Sequence, residues 1–293
     1  MTRILIVGGA GMLGHKLYQR LRLQFEVFAT IRKEFATIER FGIFEKQSIT
    51  ENIDVTDHAA VIRAIESVRP DCVINAVGII KQLPTSKDVI NTLAINSIFP
   101  HRLAELSNQY GFRLITISTD CVFDGERGDY SEDDDPNARD LYGLSKLLGE
   151  VVNDNSLTIR TSMIGRELST GHSIVEWFLG HRGGSVKGYI NMIYTGFPTI
   201  VLADIISHLI AEHPTLNGIC HISSEPISKF HLLELLNQYY DVNVNIEPYE
   251  DLAINRSLDS SQFRELTAFK PASWGDMIQS MVEDTTPYDL WKL

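Results

Sequence analysis

Long apolar runs are missing from this chain of 293 residues. The longest fall far short of a bilayer span, so no membrane role is expected. Positive charge is also scarce. Against 26 Lys and Arg stand 38 Asp and Glu, for a formal net charge of -12 at pH 7. General nucleic-acid binding needs a basic surface and is not expected either. An anionic ligand stays open, because a nest of backbone N–H groups binds phosphate even within an acidic protein. Cysteine is nearly absent. Cys72, Cys121 and Cys220 have no metal-type spacing, and Cys72 and Cys220 sit in apolar, strand-like runs. That pattern predicts reduced thiols used mostly for packing, in the cytoplasm. The opening residues, MTRILIVGGAGMLG, run from an apolar stretch straight into glycines and show no cleavage pattern, which agrees with a cytoplasmic location. No internal repeat or low-complexity linker is visible.

What is present is alternation. RILIV (3–7), FEVFA (25–29), DCVINA (71–76), RLITIS (113–118) and LTIRTS (157–162) read as buried strands. Between them, MLGHKLYQRLR, HAAVIRAIESV and VINTLAINSIFPHRLAELSNQY have helical spacing. Strand and helix in turn imply βαβ units: an α/β fold with a Rossmann-type, doubly wound parallel sheet. After residue 165 the pattern loosens. HSIVEWFLGH, TIVLADIISHLIAEH and SKFHLLELLNQYY read as helices and GICHIS as a strand. The expected organisation is a dinucleotide-binding domain over 1–165 and a smaller, mainly substrate-binding part over 166–293, with some later segments returning to the main sheet.

The first strand runs into VGGAGMLG, in which Gly8, Gly11 and Gly14 have the spacing GxxGxxG and Met12 and Leu13 open the helix. Such glycines permit a tight turn, close approach to a pyrophosphate and close helix–strand packing. A strand before and a helix after raise this above a bare three-glycine match, for which a ligand-free turn is the alternative. The second strand ends at IRK. Arg32 and Lys33 stand where NAD-preferring folds often carry an acid, which points to a 2′-phosphate and so to NADP, with NADPH favoured over NADH. The alternative is a pair of solvated basic residues. NIDVTD would set Asp54 and Val55 at a strand end near an adenine. NAVG sets Asn75, Ala76 and Gly78 after the fourth strand, where small residues let a cofactor lie close.

ISTDCVFDG places Ser118 and Thr119 at the carboxyl end of the fifth strand, where open α/β sheets bind ligands. In RDLYGLSKLLGE, Tyr142 and Lys146 are i and i+4 on one helical face. With the glycine loop, Thr119 and the Tyr142-x-x-x-Lys146 pair, the chain resembles the extended short-chain dehydrogenase/reductase family. The stretch STDCVFDGERGDYSEDDDPNARDLYGLSKLLGE is similar, more narrowly, to dTDP-4-dehydrorhamnose reductases and kindred nucleotide-sugar 4-ketoreductases. DVTDHAAVIRAIESVRPDCVINAVG, TIRTSMIG, GFPTIVLADII and NRSLDSSQF extend the likeness over most of the chain.

The resemblance implies NADPH-dependent reduction of a nucleotide-linked 4-keto-6-deoxyhexose, as in dTDP-rhamnose and cell-surface polysaccharide biosynthesis. Reducing a ketone needs a hydride and a proton for the developing alkoxide. A free tyrosine, with a pKa of about 10, exchanges protons poorly at neutral pH, and a nearby ammonium lowers that value. Tyr142 is then the acid and Lys146 its electrostatic partner, which the resemblance also sets on the nicotinamide ribose. Thr119 orients the substrate oxygen. For the substrate, Thr119, Asp120 and Cys121 line the strand end. Asn255 and Arg256 of NRSLDSS are expected at the diphosphate, with Arg160 next in line.

Departures from the related reductases are local. Cys121 stands where they usually have tyrosine, Met163 replaces a usual tryptophan, the tyrosine that commonly follows nearby is absent, and Ala138 replaces a proline. The Thr–Tyr–Lys set is intact, while the nucleotide, dTDP or UDP among others, stays open. The seven acids Asp124, Glu126, Asp129, Glu132, Asp133, Asp134 and Asp135 read as a solvated loop with turn and cap roles rather than a metal site, and no metal is expected. His172, His181 and His221 receive no role. Two other functions compete. A dehydratase or epimerase would use the same scaffold, but dehydratases of this family usually place Asp-Glu after the threonine, and here Asp120 is followed by Cys121. A non-catalytic, NADP-binding regulatory subunit like the beta subunit of methionine adenosyltransferase shares the motifs. The expected partners are a nucleotide sugar and, at most, a second copy in a homodimer.

Overall fold

The computed structural model describes residues 1–82 and 84–291. In chain order its elements open with β1 (Arg3–Val7), α1 (Met12–Leu21), β2 (Glu26–Thr30), α2 (Ala36–Glu39), β3 (Ile49–Thr50), α3 (His58–Val68) and β4 (Cys72–Asn75). There follow α4 (Val89–Leu93), α5 (Phe99–Tyr110), β5 (Arg113–Ile117), α6 (Leu141–Leu147), β6 (Ser156–Arg160), β7 (Met163–Ile164), α7 (Ile174–Leu179), β8 (Ser185–Tyr189) and β9 (Met192–Tyr194). The last are β10 (Phe197–Pro198), α8 (Thr199–Glu212), β11 (Gly218–His221), β12 (Ile227–Ser228), α9 (Lys229–Tyr240), β13 (Asn245–Tyr249), β14 (Ile254–Asn255), α10 (Ser261–Thr267) and α11 (Trp274–Val282).

Seven strands form one sheet in the order β11-β6-β5-β4-β1-β2-β3. The pairings from β6 through to β3 are all parallel. The chain winds outward from β1 through β2 and β3, then returns to build β4, β5 and β6 on the other side. Between β1 and β4 the winding reverses, and that switch point is where such sheets bind ligands. Register brings the carboxyl ends together there: Val7 pairs with Asn75, and Asn75 with Thr116. The central strands read as continuous apolar runs because helices cover both faces. On one face Leu5, Val73 and Leu114 join Val61, Ile65, Leu103 and Phe112 in a buried cluster.

The chain divides into two compact units. The first comprises Met1–Ser118, Asp140–Ile159 and Ala203–Ile219; the second comprises Thr119–Arg139, Arg160–Leu202 and Cys220–Leu293. The second unit has short strands, β12-β9-β14, β13-β8 and β10-β7, with α9 and α11 packed together and Phe178, Phe197 and Phe263 fully buried. Among the described residues no helix is long and apolar enough to cross a membrane.

Two local expectations are corrected. The third strand is only Ile49–Thr50. Asp54 therefore lies past it in a loop, beyond Asn52 at φ 58°, and caps a turn by accepting from the Thr56 N–H at 2.9 Å and hydroxyl at 2.7 Å. The helical stretch 89–110 is not one regular helix either. Residues Ala94–Ile98 form a π-type wide turn between α4 and α5. The buried Asn96 side chain holds it by accepting from Ile79 N at 2.8 Å and donating to Ile79 O at 3.0 Å and Ser145 Oγ at 3.0 Å.

Candidate active site

The glycine loop closes over the end of β1. Gly8 takes φ +94°, which side chains rarely adopt, and a Cβ on Gly14 would stand 2.1 Å from Gly8 O. Gly9 N–H donates to Thr30 O at 2.8 Å, tying the loop to β2. Gly11 is the N-cap of α1 and offers no capping side chain. The first-turn amides at Met12 and Leu13 therefore sit at the positive end of the helix without a side-chain acceptor, the arrangement that receives a phosphate. Arg32 and Lys33 follow β2 and are exposed. Asp54 is held below the usual carboxylate range by its Thr56 hydrogen bonds, with a smaller contribution from the Arg32 charge. Val55 and Asn75 are buried, Ala76 is half-buried and Gly78 is exposed past the end of β4. Asn75 Oδ1 accepts from Val77 N–H at 3.2 Å and shapes that turn.

α6 begins at Asp140, whose carboxylate caps Gly143 N–H at 3.0 Å and also takes the Lys81 ammonium at 2.8 Å. That ammonium lies 5.5 Å from the centroid of the half-buried Tyr142 ring. Ser145, between tyrosine and lysine, donates to Tyr142 O at 2.8 Å, and Ser97 Oγ donates to Ser145 O at 2.7 Å. The helix is thus pinned to the wide turn beside it. Lys146 is 7% exposed, and its Nζ donates to Ile117 O, the last residue of β5, at 2.7 Å. Burial pushes its ammonium down to about 8, and the Glu150 carboxylate opposes that shift. Ser118 is buried, and its hydroxyl donates to Glu150 Oε1 at 2.6 Å.

In the second unit Thr119 is buried in extended conformation. Its Oγ1 accepts from Cys121 N–H and donates to Asp120 Oδ1, each at 3.2 Å. Burial pushes the Asp120 carboxyl up, against hydrogen bonds from Cys121, Ser162 and Thr119 and the charge of Arg256. Tyr194, also buried, lies in the same polar cluster with Ser162. The Asn255–Arg256 segment meets this loop through the backbone. Arg256 donates from Nε to Phe123 O at 2.8 Å and from Nη2 to Asp124 O at 3.0 Å, and Asn255 N–H donates to Gly125 O at 2.7 Å.

Arg160 is 2% exposed, 5.3 Å over the Phe123 ring, and its Nη1 donates to His221 Nε2 at 3.2 Å. His221 must then carry its proton on Nδ1, which donates to Tyr130 O at 3.0 Å. Burial and the adjacent guanidinium push its pKa down to about 4, so the ring stays neutral. In the acidic loop Asp124 and Asp134 shape turns, and Glu132 accepts from His221 N–H at 2.7 Å. Asp124 accepts from Glu126 N–H, Tyr130 Oη and Asn137 Nδ2, and Asp134 from Arg127 and Ser131. Among the described residues no group of three or more His, Cys, Asp and Glu is arranged to hold a metal.

The first unit therefore holds the glycine loop, Arg32, Lys33, Asp54, Val55, Asn75, Ala76, Gly78, Ser118, Tyr142 and Lys146. The second holds Thr119, Asp120, Cys121, Arg160, Asn255 and Arg256. Sequence reasoning passed over Lys81, Asn96, Glu150, Ser162 and Tyr194. Of these only Glu150 carried a local signal, four residues after Lys146; the others are reached by tertiary contact.

A family model described as the RmlD substrate binding domain matches residues 1–286. The chain is 27% identical over 247 residues to the spore coat polysaccharide biosynthesis protein SpsK of Bacillus subtilis, covering 79% of this chain and 76% of that one. It is 25% identical over 302 residues to the dTDP-4-dehydrorhamnose reductase of Aggregatibacter actinomycetemcomitans, covering 94% and 96%. Its fold matches the crystal structure of dTDP-4-dehydrorhamnose reductase from Bacillus anthracis in complex with NADP, with a TM-score of 0.80 at 24% identity over 97% of this chain and 100% of the other.

Proposed function

This chain belongs to the RmlD substrate-binding-domain family, within the extended short-chain dehydrogenase/reductases, and on that basis we propose that it reduces a nucleotide-linked 4-keto-6-deoxyhexose with NADPH. The observation that carries the reading is the Tyr142–Lys146 pair on α6, with the buried lysine fastened to the end of β5.

The glycine loop and the uncapped start of α1 fit a dinucleotide pyrophosphate, and Arg32 and Lys33 fit a 2′-phosphate. A bound reduced nicotinamide would supply the hydride. Tyr142 supplies the proton: its hydroxyl gives up H⁺ as the ketone oxygen becomes an alcohol. The Lys146 ammonium stabilises the phenolate left behind. Thr119 Oγ1, already fixed by Cys121 N–H, orients the substrate oxygen. Asn255 and Arg256 are assigned to the substrate diphosphate, and Arg256 Nε and Nη2 also hold the Phe123 and Asp124 carbonyls. The Thr119-Asp120-Cys121 sequence supplies no glutamate for dehydration.

The test is NADPH oxidation with 4-keto-6-deoxyhexoses carried on dTDP, UDP, GDP and CDP. Consumption of NADPH that depends on one of these sugars is expected. NADP binding without turnover of any, together with co-purification of a separate catalytic subunit, would replace this reading with the regulatory one.

A further inference from the structure

The helix that carries Tyr142 and Lys146 is followed by an acid to which the reaction above gives no task. The inference rests on that reading of the pair. After α6 the chain turns tightly: Gly149 N–H donates to Lys146 O and Glu150 N–H to Leu147 O, each at 3.1 Å. Gly149 makes the turn fit, since a Cβ there would lie 1.9 Å from Asn96 O on the wide turn. The Glu150 side chain is thereby returned to the end of β5, where the Ser118 hydroxyl donates to Oε1 at 2.6 Å. One residue earlier on that strand, Ile117 O accepts from Lys146 Nζ at 2.7 Å. Two consecutive residues thus hold an ammonium and a carboxylate. A buried ammonium on a neutral carbonyl is costly unless an opposite charge accompanies it.

We propose that Glu150 is a positioning residue for the Tyr142–Lys146 pair: anchored by Ser118, its carboxylate keeps the buried Lys146 ammonium charged and seated on Ile117. Among the described residues, Glu150 is the charge that acts against the burial of Lys146. Lys81 is paired with Asp140 and lies over Tyr142. Lys87, in the turn that packs on α6, is exposed. The segment Val89–Ile98 has no ionisable side chain, and Arg113 is at the far end of β5. Loss of the carboxylate leaves only the desolvation that already drives Lys146 down to about 8. The neutral amine would then form about half of the population near neutral pH, and in that form it no longer sharpens the acidity of Tyr142.

Glu150→Gln keeps an acceptor oxygen for Ser118 and removes the charge; Ser118→Ala keeps the charge and removes the anchor. The direct readout is NMR titration of protein labelled at lysine Cε, with the Lys146 signal assigned by its loss in Lys146→Arg. Glu150→Gln should lower the midpoint by about one pH unit, and Ser118→Ala by less. The alkaline limb of the kcat profile should fall with it, and Glu150→Asp should restore most of the shift. An unchanged midpoint in both variants, or activity lost equally at every pH, overturns the proposal. If no keto sugar is reduced by the wild-type protein, the functional reading fails while the titration still decides the role of Glu150.

Discussion

In the proposed reduction, Tyr142 gives H⁺ and Lys146 makes the giving easier. Removing only the phenolic oxygen separates these tasks. Tyr142→Phe should lower kcat by roughly 100- to 10,000-fold with NADPH affinity nearly unchanged, measured by steady-state kinetics beside fluorescence titration; near wild-type turnover would remove Tyr142 from the reaction. At the other end of the cofactor, Arg32→Ala should weaken NADPH by about tenfold or more, the worth of a hydrogen bond to a charged group. NADH should be weakened far less, and equal losses for the two nucleotides would dismiss the 2′-phosphate contact. Residue types suggest these roles because phenol, ammonium and guanidinium each have few uses at such positions. Residue partners were not announced. Arg256 has the fork that suits a diphosphate, and nothing local says that Phe123 and Asp124 carbonyls take two of its donors. Arg160 likewise stands at a strand end in the sequence, while its guanidinium lies buried against His221 and Phe123.

Among the elements, the β1–loop–α1 unit leaves the least room for change. A methyl group on Gly14 would press on the Gly8 carbonyl at 2.1 Å, and Gly8 is already at φ +94°. Gly14→Ala should cost about 3 kcal/mol of stability and weaken both nicotinamide nucleotides together, unlike Arg32→Ala. Thermal melting and nucleotide titration on one preparation check this; an unchanged melting temperature would mean that the helix start relaxes freely. These elements were legible because their periodicity is strong and their ends are marked. Asp57 caps α3 by accepting from Ala60 N–H, and Asp140 caps α6. β3 was misplaced because two residues, Ile49 and Thr50, carry no period at all. The wide turn at Ala94–Ile98 was missed because its cause is tertiary: Asn96 reaches Ile79 and Ser145, far away in sequence.

For the whole molecule, connectivity matters more than composition. The two units are built from six alternating segments, three each, so the chain passes from one unit to the other five times. The fragment Met1–Ile159 would lose Ala203–Ile219 from the first unit. It would forfeit Asp204, which receives Arg20 at 2.7 and 3.0 Å, and the Leu209 and Leu216 carbonyls, which receive Arg113 at 3.1 and 2.8 Å. Buried Ile206 and Leu209 would go with them. We expect this fragment to show no cooperative thermal transition by circular dichroism, and a sharp transition would refute that. Composition could not disclose the interleaving, since no Pro- or Gly-rich linker marks any of the passages. It also bears on how such a protein can acquire a new substrate. A single genetic crossover anywhere in the middle of the gene would cut through both units, so wholesale exchange of one unit between relatives needs several simultaneous junctions. Exchange of a whole unit by one crossover is thereby disfavoured, and point substitution within a single segment is the simpler route to change.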